Sequence, residues 1–208
     1  NSVHLEHLGG LDATSVYLNN NDYRILTLRF LKLDSDKLVY SPLSYLLIND
    51  EIYSVDSDQH LTLLGDNFQE LYEQINLKII YLSNLISVYD KEVEELEDKI
   101  FERMKLNSFL TQWFHYKKGL LKLNRTFERL SIVLAEFNKK ESKSLFESSK
   151  EFFDLQHDME VESRLIKSQL EKLDTIYSYY TSTNNDQLNR NLFVLSVISG
   201  IFLPLNLI

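Results

Sequence analysis

The sequence predicts an α+β fold. A small β-rich α/β domain is followed by two long antiparallel helices, then by a very long C-terminal stalk helix continuing into a truncated transmembrane helix. Three observations predict it. The first 65 residues alternate β-rich runs with Asn, Asp and Ser turn signals. The middle of the chain repeats apolar residues at helical intervals. The last stretch keeps such a period from Phe146 and then loses all charge after Arg190. The expected units are 1–65 (the β-rich part), 66–144 (the two helices), 145–190 (the stalk) and 191–208 (the truncated membrane helix).

Taken in order, Ser15–Leu18, Tyr23–Phe30, Leu38–Tyr40, Tyr45–Ile48 and Glu51–Val55 are rich in β-branched, aromatic and other apolar residues. Clusters such as Asn19–Asp22 and Asn49–Asp50 separate them, as turns require. Ile25, Leu31, Val39 and Leu47 are expected to face a core. A helix should start at Asp66 or Asn67 as N-cap, with Glu70 following, and run to about Met104. A second spans roughly Asn107 to Asn138, with Gly119 inside it at about 1 kcal/mol relative to Ala. Asn138–Ser144 is polar and reads as a turn. The stalk then carries Phe152, Leu155, Met159, Ile166, Leu170, Leu173, Tyr177 and Tyr180 at steps of three, four and seven, close to a heptad seam. From Leu192 to Ile208 the chain is apolar on every helical face for about 17 residues, the lower limit for crossing a bilayer core. A buried core helix is the alternative, but a terminal segment suits it poorly.

Composition excludes several functions. A formal net charge of −9 and a pI near 5.1 leave no basic footprint for nucleic acid. With no Cys there are neither disulfides nor thiolate metal ligands. His4, His7, His60, His115 and His157 show no zinc spacing. No nucleophile–base arrangement, phosphate loop or catalytic carboxylate pair emerges, so an enzyme is not expected.

The uncharged segment, Asn189 through Leu195, Ser199 and Phe202-Leu203-Pro204 to Ile208, resembles the first transmembrane helix of the CorA family of divalent-cation channels. Tyr81–Arg103 looks like the family helix that opens with Tyr and ends in acidic residues. Lys118–Leu134, with Lys122, Arg125 and Arg129, looks like the next, which spaces its basic residues in the same way. The resemblance covers Tyr81 to Ile208; the family's Gly-Met-Asn signature would fall a few residues beyond. It implies a homopentamer in the cell inner membrane, lipid around the last helix, and residues 1 to about 190 in the cytoplasm. The cargo would be Mg²⁺, with Co²⁺, Ni²⁺ or Zn²⁺ as alternatives.

Asn189, Leu192, Leu195, Ser199, Leu203 and Asn206 fall on one helical face, which any apolar helix can supply for packing. The resemblance makes them pore-lining, with amides in the ion path and the apolar members gating by dewetting. A mostly hydrated ion is the cheaper one to conduct, because Mg²⁺ gives up water reluctantly. The resemblance also places Asp154 on a stalk carboxylate that binds a regulatory divalent cation between subunits. Asp158, in the reordered pair His157-Asp158, would assist, and the partner carboxylate would be Asp56 or Asp58; a solvated face is the alternative. The run Glu92, Glu94, Glu95, Glu97, Asp98 and Glu102 reads as a solvated face, or as a surface gathering cations. The rival reading is a tail-anchored helical scaffold whose coiled coil binds protein partners.

Overall fold

Short turns between apolar runs fold the first part of the chain into a meander of five antiparallel strands: β1 (Val16–Asn19), β2 (Arg24–Asp34), β3 (Lys37–Ile48), β4 (Glu51–Val55) and β5 (Leu61–Gly65). Three helices follow: α1 (Phe68–Phe101), α2 (Phe109–Glu141) and α3 (Ser149–Leu205). This computed structural model describes residues 14–20, 22–35, 37–49, 51–56, 60–65, 68–101, 109–141 and 149–205. The expected caps Asp66 and Asn67, together with Glu102, lie outside them.

Register explains the turns. Asp34 pairs with Lys37 and Ile48 with Glu51, leaving two-residue loops that open on Ser35 (φ 47°) and Asn49 (φ 49°). Left-handed residues there match the twist of tight hairpins. The two expected strands Leu38–Tyr40 and Tyr45–Ile48 are in fact one, continuous through Pro42. Pro42 sits on the half of β3 that has only β2 beside it, since β4 pairs with Ser44–Ile48 alone. There a missing N–H can face away from the ladder. The fifth strand was not foreseen. It is an edge strand with Leu61 and Leu63 exposed, so it lacks the alternation of a half-buried strand.

One face of the sheet, with Leu26, Leu28, Phe30, Tyr45, Leu47 and Ile52, shares a core with all three helices. The other face gathers Ile25, Leu46 and Val55 in a second, smaller cluster. Leu31 and Leu47 are buried as expected, Ile25 is buried in that second cluster, and Val39 is only half-buried.

Side-chain pairs fix how the helices run. Phe109 meets Tyr180, Trp113 stacks on Tyr177, Asn124 accepts from Ser163 and Asn138 donates to the Phe152 carbonyl. Rising numbers on α2 thus meet falling numbers on α3, so the two are antiparallel. On α1, Tyr72 meets Phe152, Asp90 accepts from Gln169, and Glu97 pairs with Lys172 at 2.6 Å, so α1 is parallel to α3. The α3 seam is Phe152, Leu155, Met159, Ile166, Leu173 and Ile176, with polar Ser163 and Gln169 buried in it; Tyr177 lies at its exposed margin.

Gly119 lies inside α2 as expected, and its place has a reason: a side-chain carbon there would overlap the Tyr89 ring, with Cε1 at 2.6 Å, so glycine lets the helices approach. One local expectation is corrected: Asn138 does not begin a turn. α2 continues to Glu141 because these polar side chains are buried and bonded: Asn138 to α3, Glu141 to Arg24 and Tyr17 on the sheet.

Candidate functional site

α3 is 57 residues long, about 85 Å by rise. Its first part is held by α1 and α2. From Asn185 to Phe202 every described side chain is exposed. The residues from Asn185 to the end of the helix span about 31 Å, and no Gly or Pro occurs in α3 before Gly200. Leu192, Phe193, Val194, Leu195, Ile198 and Phe202 are each at least 47% exposed, on all sides of the helix. Apolar surface of that extent marks a site of association. Even so, among the described residues no helix is long and apolar enough to cross a membrane. The described uncharged run, 191–205, measures about 22 Å against about 30 Å for a hydrocarbon core.

Asn189, Leu192, Leu195 and Ser199 are exposed on this tail, on one side of it. Leu203 is on the last turn of α3, and Asn206 lies outside the described residues. Nearby, Ser196 Oγ donates to the Leu192 carbonyl at 2.8 Å, so this hydroxyl's proton stays within the helix.

At the opposite end of α3, Asp154 and Asp158 are exposed and one helical turn apart. Sequence reasoning missed Glu151, although its spacing of three from Asp154 puts it on the same side. Burial raises the Tyr72 hydroxyl above its usual value, and then the charges of Glu151, Asp158 and Asp154 add to this. All three carboxylates therefore act on Tyr72 of α1. One oxygen of Glu151, Oε2, is buried with no hydrogen-bond partner. Hard oxygen donors of this kind suit a Mg²⁺-type ion that keeps most of its water. Within the chain, no three His, Asp or Glu side chains among the described residues converge closely enough to hold a metal.

Asp56 lies just past β4, away from any such group. Its Oδ1 accepts the His60 backbone N–H at 2.8 Å, and its Oδ2 is 3.3 Å from His60 Nδ1. It closes the β4–β5 connection. Asp58 lies outside the described residues.

The acidic run on α1 is divided by its contacts. Glu97 is tied to Lys172 of α3, whose ammonium this hydrogen bond holds above its usual value. Glu92 is half-buried beside His115, while Glu94, Glu95 and Asp98 face solvent.

The family model described as CorA-like Mg²⁺ transporter protein matches residues 13–208. No curated protein matches the chain. Among solved structures, the complete CorA magnesium transporter from Methanocaldococcus jannaschii aligns at a TM-score of 0.81 and 16% identity, over 97% of this chain and 68% of that one. The soluble domain of CorA from the same organism aligns at 0.70 and 14% identity, over 86% and 77%. The ZntB cytoplasmic domain from Vibrio parahaemolyticus RIMD 2210633 aligns at 0.67 and 11% identity, over 89% and 80%. At these identities the likeness is one of fold.

Proposed function

The chain belongs to the CorA-like Mg²⁺ transporter family, and on that premise we propose that it is the cytoplasmic body and the start of the first membrane helix of a divalent-cation transporter. The observation that carries this is the exposure of α3 on every side from Leu188 to Phe202, beyond the last contact with α1 and α2. Such a surface marks a membrane or protein-association site, and the family match favours lipid and other copies of the chain. The likeness to the complete transporter reaches over 97% of the chain and that to the soluble domain over 86%, which fits a segment lying beyond the soluble part.

In this reading five copies surround one axis at the cell inner membrane, with residues up to about 190 in the cytoplasm. Asn189, Leu192, Leu195, Ser199, Leu203 and Asn206 face that axis. The Asn189 amide meets the hydrated ion at the cytoplasmic mouth, and Leu192 and Leu195 narrow the path so that it dries when closed. Mg²⁺ is the proposed cargo, because only oxygen donors line the way and it passes with its water. Co²⁺, Ni²⁺ and Zn²⁺ are the competitors to assay.

Regulation is assigned to the other end of α3. Asp154, with Asp158, meets Asp56 or Asp58 of a neighbouring copy, and the ion between them offsets carboxylate repulsion and holds the copies together. The donor set fits such an ion, and Glu151 Oε2 adds a sequestered oxygen beside it.

The reading is tested by expressing the whole gene in cells lacking Mg²⁺ uptake and following internal Mg²⁺ with a fluorescent indicator. Uptake from membranes that retain the protein after alkaline washing supports it. A protein released by that washing, or one without uptake of any of the four ions, overturns it.

A further inference from the structure

Lys118, Lys122, Arg125 and Arg129 follow one another at intervals of four, three and four, so they line one side of α2. The β2–β3 hairpin lays two more groups against that side. The Arg29 guanidinium carbon is 3.8 Å from the centroid of the Tyr40 ring, and the Lys122 ammonium is 4.5 Å from the same centroid. Arg29, Arg125 and Arg129 converge with Tyr40, Ser15 and Thr126 on a cavity of about 290 Å³. A second cavity of about 580 Å³ shares Tyr40 and Arg125 with it and adds Lys117, Lys118 and Trp113.

These cations stand together in a chain of net charge −9. Among the described residues no carboxylate forms an ion pair with Lys118, Lys122, Arg125 or Arg129. The acidic groups nearby are committed elsewhere, Glu128 to Lys167 at 2.9 Å and Asp174 to Lys117 at 2.5 Å. Like charges at these helical intervals repel. Several hydrogen bonds hold the arrangement regardless: Arg129 Nε donates to the Ser15 carbonyl at 3.1 Å, the Arg29 backbone N–H to Ser15 Oγ at 2.8 Å, and Lys122 Nζ to the Leu38 carbonyl at 2.5 Å. Burial, and then Arg29 and Lys118, hold the Lys122 ammonium below its ordinary value, so the charges sense one another.

We propose that this cavity is an anion site for a phosphate-bearing small molecule. The Arg125 and Arg129 guanidiniums fork onto its oxygens, Arg29 adds charge from the Tyr40 side, and Lys122 stands in the adjoining second cavity. Guanidinium matches phosphate in a bidentate way, and three of them around one cavity favour a multiply charged oxyanion over a single carboxylate. The phosphate can be free, or it can belong to a nucleotide whose remainder occupies the second cavity beside Trp113. The site lies on α2 and the hairpin and stands apart from the transport reading.

The test titrates inorganic phosphate and, separately, ATP into the full chain, with EDTA present and ionic strength held constant with sodium chloride. Heat of binding and thermal midpoint are both read. Phosphate binds in the millimolar range or tighter and raises the midpoint. Arg125→Gln and Arg129→Gln each weaken it by about tenfold or more, Arg125→Lys weakens it less, and the distant Lys150→Gln leaves it unchanged. ATP binding at least about tenfold tighter than phosphate assigns the nucleotide source, and equal affinities assign free phosphate. Absence of heat and of any midpoint shift in the unsubstituted chain overturns the proposal, as does an equal loss in Lys150→Gln and Arg125→Gln.

Discussion

Arg24 Nη1 lies 2.7 Å from Glu141 Oε2, joining the second strand to the last turn of α2 across 117 positions of sequence. The Glu141 side chain is 2% exposed and that of Arg24 18%, so little water screens the pair. Tyr17 donates its hydroxyl to the other carboxylate oxygen, and burial followed by Glu141 pushes that hydroxyl well above its usual value. Removing one partner of a buried pair strands the other. Glu141→Ala is therefore expected to cost about 3 kcal/mol or more. Denaturant unfolding of the isolated chain checks this, and a loss below about 1 kcal/mol would show that solvent already screens the contact.

Gly119→Ala carries two opposed effects. Alanine improves helix propensity by about 1 kcal/mol. The added carbon must displace the Tyr89 ring, which stands beside His115 and Tyr116, and overpacking of this kind costs about 1–3 kcal/mol. The net expectation is destabilisation by about 1 kcal/mol. Combining it with Tyr89→Leu should make the alanine neutral or favourable, and equal penalties in both backgrounds would refute the steric account.

Burial raises the Glu92 carboxyl above its usual value of 4.5, while His115 opposes and Glu95 adds to the rise. The folded chain therefore keeps a proton that the unfolded chain has released. Its contribution to stability is full below the unfolded value and fades as pH climbs through the folded one. Glu92→Gln should gain thermal midpoint relative to the unsubstituted chain between about pH 4 and pH 7. A difference that stays flat over that range contradicts the assignment.

If Asn189 and Leu195 line the pore as proposed, Asn189→Ala in the full-length protein is expected to lower Mg²⁺ uptake about tenfold by removing an amide from the mouth, and Leu195→Ser to raise basal flux by wetting the constriction. Uptake measured at matched surface expression separates these from folding defects. The pore assignment fails if both substitutions leave flux as it was.

On the proposed regulatory site, millimolar Mg²⁺ is expected to protect the chain against trypsin, Asp154→Asn to abolish that protection and Glu151→Gln to weaken it. Ser168→Ala, on the same helix, serves as the unaffected comparison. Protection that survives Asp154→Asn removes this carboxylate from regulation.

The helices were legible because their core positions recur at a period that only a helix can use; Phe152, Leu155, Met159 and Leu173 announce α3 before any contact is known. What escaped depends on partners distant in the chain. Asn138 and Glu141 read as a polar turn because Phe152, Tyr17 and Arg24, which satisfy them, are invisible locally. Ser163 and Gln169 break the apolar seam for the same reason, being bonded to Asn124 and Asp90. β5 was hidden by its exposed edge and β3 was split by Pro42. At the candidate site, the stalk carboxylates were put forward by resemblance alone, whereas Glu151 needed Tyr72 beside it to be noticed.

With no proline or glycine from Ser149 to Ser199, α3 is one helix without a built-in kink along that length. Asp154 and Ser199 are separated by about 67 Å of continuous helix, so tipping the rod by about 5° near Asp154 swings Ser199 sideways by about 6 Å. A displacement that size exceeds the width of a leucine side chain. If the carboxylates at one end hold the regulatory ion as proposed, small adjustments among them would be amplified along the helix to its far end.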